Sequence, residues 1–240
     1  MNLRFFLAFS LLLSSFILKG QNFFTGTLPD SLINNIKEFH IDTSQFSNPE
    51  SKFFHSTIAK KFESLNTSIS SKESIALTTY NLNAIKDLNK LNELCKLTYD
   101  LNEEHLYDSA IIVCKQILNI CPNNLTALKE SSYAYAQIDS SELSNNYFEV
   151  FKLTAQAVFE YGNGTYDEPW ILNNFYEGFS IYDFYFGASP TKAGYLLTKS
   201  DILLGAYYAY SPRVNNIIIL YSYMNHMKGF LQTWEIEHEN

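Results

Sequence analysis

Three changes in the spacing of apolar positions divide the chain into segments of different expected structure. The opening stretch, MNLRFFLAFSLLLSSFILKGQ, places one cation (Arg4) ahead of an apolar run at 5–18 broken only by serines, then turns polar at Lys19-Gly20-Gln21. That order is the pattern of a secretory signal peptide. The run of about 14 residues falls short of the roughly 20 that an α-helix needs to cross a bilayer. Residues 1–21 are therefore expected to be removed. No cysteine lies near the end of the run to accept a lipid, so the mature chain is expected to be exported and unanchored. After it, residues 22–90 are expected to form an N-terminal helical segment. A short helix is expected at 32–39 and a turn at Ser47-Asn48-Pro49. Phe53, Phe54, Thr57, Ile58, Lys61 and Phe62 then follow at helical spacing. Ser70 with Glu73 makes a capping box, which predicts a helix start there and a run towards Tyr80.

Between residues 91 and 161 the pattern repeats. Leu94, Leu97 and Leu101 are followed by Ala110, Cys114 and Pro122, and a shift of 34 positions gives Leu128, Ser131, Tyr135, Ser144 and Phe148. This is tetratricopeptide spacing, in which large residues on one helix meet a small residue on the next and proline closes the unit. Ala110 and Ser144 are the small positions expected to let paired helices approach closely. Thr98 and Ser132 stand where the usual pattern has glycine and a neighbouring small residue, and the second unit has no closing proline. Two tetratricopeptide-like helical hairpins are predicted. The helices before residue 90 are expected to cap one stacking face, and the segment after 160 the other.

From Trp170 the period shortens. Residues 170–172, 174–179, 194–197, 202–210 and 216–223 are rich in Ile, Leu, Tyr and Phe, with turn groups at 187–190 and 211–213 between them. The last 80 residues hold 18 of the aromatic side chains against 20 in the first 160, a shift that favours strands. Residues 162–240 are accordingly expected to form a small antiparallel sheet packed on the helices, ending in an acidic, frayed tail. The fold class predicted is α+β, tetratricopeptide-like helical hairpins followed by a small antiparallel β-sheet.

The join between these regions reads YGNGTYDEPW, and its glycines raise the question of a phosphate cradle. Such loops lead from a strand into a helix N-terminus, where backbone N–H groups point at the anion. Here a helix precedes Gly162 and extended chain follows Pro169, so the loop sits at the negative end of the helix dipole, beside Asp167 and Glu168. Gly162, Asn163, Gly164 and Thr165 are therefore expected to be a structural loop, with Gly162 or Gly164 in the left-handed conformation that ends a helix.

Charge narrows the partners. The chain carries 17 basic and 25 acidic residues, and loss of Arg4 and Lys19 with the signal leaves a net charge near −10. With no basic cluster, nucleic acid is excluded as a partner on electrostatic grounds. Cys95, Cys114 and Cys121 make an odd count for an exported protein. Cys114 and Cys121 lie about 10 Å apart along one helix, too far to bridge. Cys95 could face Cys114 across a hairpin, but the simpler expectation is three buried thiols. No spacing matches a metal site, and no cofactor is implied.

Taken together, Phe53-Phe54, the Ser-capped helix reaching Tyr80, the hairpin with Ala110 and Pro122, the loop Tyr161-Gly162-Asn163-Gly164-Thr165 and the aromatic run at 182–187 resemble an uncharacterised family of exported Bacteroidetes proteins, a domain of unknown function. Its typical form carries Gly-Asp-Gly-Thr at the loop and an acidic-aromatic motif where this chain has Ile181-Tyr182-Asp183; here Asn163 replaces the loop carboxylate. The resemblance implies an exported helical-repeat protein with a short sheet, and no activity.

Candidate chemistry is sparse. Asp167, Glu168, Glu177 and Asp183 lie in one aromatic-rich segment, the composition of a glycosidase cleft, though solvated acids are the commoner case. His105 reads as a turn residue, and neither His226 nor His238 has a partner at ligand or base spacing. No serine stands in a nucleophile elbow. Most of the C-terminal aromatics are expected in the core. Some tyrosines, with Tyr176, Tyr182, Tyr207 and Tyr210 as the candidates, are expected to stay exposed as a contact platform. The sequence thus predicts an exported, non-enzymatic binding or scaffolding protein for a protein or peptide partner, without stable membrane insertion, in the periplasm or outside the cell. The alternative is an exported carboxylate-dependent hydrolase acting on glycans.

Overall fold

The computed structural model describes residues 43–187, 189–197, 203–211 and 216–223. The segment expected as a signal peptide, the helix expected at 32–39, His226, His238 and the acidic tail lie outside the described residues. After a single 3-10 turn at Thr43–Phe46 come helices α1 (His55–Glu63), α2 (Ser71–Ala84), α3 (Leu88–Glu103), α4 (Tyr107–Ile120), α5 (Leu125–Gln137) and α6 (Ser141–Tyr161). Strand β1 (Trp170–Ile171), helix α7 (Phe175–Phe186) and strands β2 (Lys192–Leu197), β3 (Leu203–Ser211) and β4 (Asn216–Tyr223) follow. The described fold is thus α+β: seven helices packed as adjacent pairs, then a small mixed sheet of four strands.

Local chemistry explains where the helices start and stop. Ser70 and Glu73 form the expected capping box in both directions, and Lys61 of α1 binds the same carboxylate at 2.5 Å. Three turns between helices share one closure. Leu65, His105 and Asp139 take positive φ, and the next amide reaches back five residues: Asn66 N–H to Lys61, Leu106 N–H to Leu101 and Ser140 N–H to Tyr135. These are Schellman turns without glycine. The last two stand 34 positions apart.

Helices α3, α4, α5 and α6 pack in chain order, each against the next, and α3 also meets α5. In the pair α5–α6 the close approach is direct: Ser132 Oγ donates to the Ser144 carbonyl at 2.9 Å, and Ser144 Oγ to that of Ser132 at 2.8 Å. Ser144 is buried there, as is Ala110 in α4. Helix α2 returns to pack on α6, at the far end of the row from α3. The main core joins Phe62, Leu77, Leu128, Phe151, Trp170, Tyr182 and Tyr207, each side chain contributing roughly 1.5–3 kcal/mol by leaving water.

Two expectations for the C-terminal region are corrected. Residues 174–179, expected as a strand, open helix α7, because the Asn174 side chain accepts from Glu177 N–H and caps it. The sheet is mixed, with order β1-β4-β3-β2: β2, β3 and β4 are antiparallel, but β1 runs parallel to β4, with Trp170 opposite Ser222. A parallel neighbour needs a crossover, and α7 with β2 and β3 supplies it. The register divides the sheet into two faces. Ala193, Tyr195, Leu203, Tyr207 and Leu220 share the face packed on the helices, while Lys192, Leu196, Leu204, Tyr208, Tyr210, Ile219 and Tyr221 share the outer one.

Candidate functional site

The densest polar chemistry lies where α7 crosses α3 and α5, the first helix of each pair. Two Asn-Asn steps open the elements there: Asn123-Asn124 before α5 and Asn173-Asn174 before α7. In each the second asparagine caps its helix, Asn124 accepting from Ala127 N–H at 2.9 Å and Asn174 from Glu177 N–H at 3.1 Å. The first asparagines turn inward. Asn81 of α2 donates to Asn123 at 2.8 Å and to Asn173 at 3.2 Å, while Asn123 donates to Thr78 Oγ1 at 2.8 Å.

Glu177 closes this knot. Its carboxylate is fully buried and accepts from Leu125 N–H at 2.9 Å, Asn173 N–H at 2.5 Å and Asn173 Nδ2 at 3.0 Å. One side chain therefore ties the first turn of α7 to the first residue of α5. Burial pushes its pKa up to about 7, against the pull of the Asn173 amide and the backbone donors. Cys95 receives Asn174 Nδ2 at 3.2 Å and Cys121 receives Asn81 Nδ2 at 3.3 Å. All three cysteines are free and buried, and burial raises each thiol pKa, that of Cys114 to about 12.

A second cluster lies one turn further along α5. Lys129 Nζ pairs with Asp183 at 2.9 Å and Glu130 at 3.2 Å, and stands 5.1 Å from the centre of the Tyr99 ring. Burial opposes its charge, but Asp183, Tyr99 and Glu130 hold its pKa well above the ordinary lysine value. Tyr99 Oη and Ser180 Oγ share a hydrogen bond of 2.7 Å, Ser180 donates to Thr126 at 3.0 Å, and Asn102 donates to Glu130 at 2.7 Å.

These placements settle what the individual side chains touch. Glu177 and Asp183, both on α7, are engaged separately at Leu125 and Lys129, a turn apart on α5. Asp167 is exposed, and Glu168 accepts from Asn163 Nδ2 at 3.0 Å. Tyr182 and Tyr207 are 0% exposed and Tyr176 is buried, so the expected platform of four tyrosines is corrected: three are core. Tyr207 packs on Phe175 and Phe179 and gives its hydroxyl to the Phe175 carbonyl at 2.9 Å, so its polar tip is matched inside. Tyr210, on the outer sheet face, is 50% exposed.

The loop at 162–165 is closed on itself. Asn163 and Gly164 N–H both reach the Glu168 carbonyl at 3.0 Å, Thr165 N–H reaches Asn163 Oδ1 at 2.9 Å, and the Gly164 carbonyl accepts from Tyr221 N–H at 2.8 Å. Gly164 takes the left-handed conformation, φ +75°, with its Cα against the Trp170 ring. Helix α6 ends instead at Gly162 in extended backbone, where a side chain would strike the Pro169 carbonyl. The amides of Asn163, Gly164, Thr165 and Glu168 are thus taken up within the loop.

Sequence reasoning missed helix α7, and with it the whole crossing. Asn174 and Glu177 carried the signal, an N-cap residue with an acid three positions on, but the surrounding Phe and Tyr read as strand. Among the described residues, no three His, Cys, Asp or Glu side chains converge as metal ligands, and no helix is long and apolar enough to cross a membrane. A shallow pocket of about 180 Å³ beside Phe62, Leu65, Lys115 and Tyr147 is smaller than the roughly 300 Å³ usual for small-molecule sites. Comparison with protein-family models, with curated proteins and with solved structures found no match.

Proposed function

We propose that this chain is an exported, non-enzymatic binding or scaffolding protein, active in the periplasm or outside the cell, whose helical pairs are tetratricopeptide-like repeats. The 34-residue offset of the turns at His105 and Asp139, and of Thr98 and Ala110 to Ser132 and Ser144, supports the repeat reading. In such arrays the first helices of successive pairs line a concave groove that takes peptides. Here α7 lies across α3 and α5, so the chain fills its own groove. Partner contact therefore falls elsewhere.

The observation that carries the proposal is the apolar surface of the pair α3–α4, which ends the row. Leu97, Leu106 and Ile112 are exposed there, Ile112 at 58%. Repeat arrays cover their terminal faces to stay soluble, and α2 does this at the α6 end. The α3–α4 end suits a protein that stacks on it. The test is affinity capture with the full chain from the native exported fraction, compared with Ile112→Glu. A protein retained by the parent and released by the variant is the expected result. Glycan turnover by the purified chain with no partner captured would overturn it in favour of the hydrolase reading.

A further inference from the structure

Negative charge is in excess where α3 ends beside α5. Lys129 serves both Asp183 and Glu130, reaching Oε1 of the latter, while Glu130 Oε2 has the Asn102 amide at 2.7 Å. Glu103, the last residue of α3, is crowded by like charge: burial first, then Asp100 and Glu130, raise its pKa. Three carboxylates, on Asp183, Glu130 and Glu103, thus gather around one ammonium, whereas charge held in an interior is ordinarily paired. The closing carbonyls of α3 add the negative end of a helix dipole.

Asn102 is left half-satisfied in the same place. It is 4% exposed, and its Nδ2 donates to the carbonyl and the carboxylate of Glu130, but its Oδ1 has no hydrogen-bond partner. Both atoms sit on one amide carbon, so the unused acceptor lies beside that carboxylate. Buried acceptors are rarely left so. A donor matches Asn102, and the surrounding charge requires that the donor be a cation. Two rings close the corner: Tyr133, one turn beyond Glu130, meets Tyr107 edge to face at 6.1 Å.

We propose that the end of α3 and the facing turn of α5 hold a guanidinium group brought by the partner protein. This rests on the reading that a protein seats on the α3–α4 end, and it adds what that protein carries. The two places are continuous, because Leu106, exposed at 48% on that end, directly precedes Tyr107. A guanidinium suits the corner better than an ammonium: its planar fork supplies N–H donors enough for Asn102 Oδ1 and both glutamates, and its flat face stacks on tyrosine.

Titrating the full chain with N-acetyl-argininamide, followed by NMR shifts of the amides at 100–107 and 130–133, tests this. Saturable shifts in those amides are expected, with the neutral isostere N-acetyl-citrullinamide binding about tenfold more weakly. Glu103→Gln, at an exposed position that the core does not need, should weaken the arginine probe about tenfold. Ile112→Glu should leave it unchanged, so failure of the partner surface and failure of this site are read separately. Equal binding of the two probes would overturn the proposal. So would the absence of a saturable shift, or a Glu103→Gln chain that binds as the parent does.

Discussion

Replacing Glu177 with glutamine should change how stability depends on pH, and not merely lower it. Glutamine keeps one acceptor oxygen, but its amide nitrogen then faces an N–H donor, either Leu125 or Asn173. Leaving one buried donor unmatched costs about 1–3 kcal/mol. The pH dependence follows from the carboxyl itself, whose pKa rises from 4.5 in the open chain to about 7 in the fold. Between those values the folded chain holds more protons than the unfolded one, so stability falls as pH rises from 4.5 to 7 and is flat beyond. A shift of this size corresponds to about 3 kcal/mol. Urea unfolding of both proteins at pH 4.5, 5.5, 7 and 8 isolates the group, because titrations common to both cancel in the difference. Glu177→Gln should cost more at pH 4.5 than at pH 8, by about 3 kcal/mol. An equal cost at both ends, or a greater one at pH 8, would refute the reasoning: the two helix N-termini would then hold the anion well enough to offset its burial.

Two further outcomes follow from packing and burial. Gly178 of α7 lies against the Tyr207 ring so closely that an alanine methyl would overlap it; Gly178→Ala should destabilise by about 1–3 kcal/mol, read from the urea midpoint, and combining it with Tyr207→Ala should recover part of that loss as a negative coupling. The three thiols are buried and held protonated, so a thiol reagent at neutral pH should find none reactive in the native chain and three after unfolding; rapid reaction of any one under native conditions would contradict its burial.

Elements with a local cause could be read directly from the order of residues. The capping box at Ser70 and Glu73, the offset linking the two helical pairs, and strands β2 to β4 were legible because each rests on a pattern along the chain: a cap, large and small positions recurring after 34 residues, an alternation between turns. Helix α7 was misread because its aromatic residues favour strands in the open chain, and only burial against α3 and α5 lets the weaker Asn174 and Glu177 signal win. Strand β1 parallel to β4, α2 returning to the α6 end, and Glu177 bridging two helix starts all join residues far apart in sequence. No local pattern encodes such contacts. They form because α7 and the inner sheet face both carry more apolar surface than either can hide alone, and the row of helices offers one place to bury it.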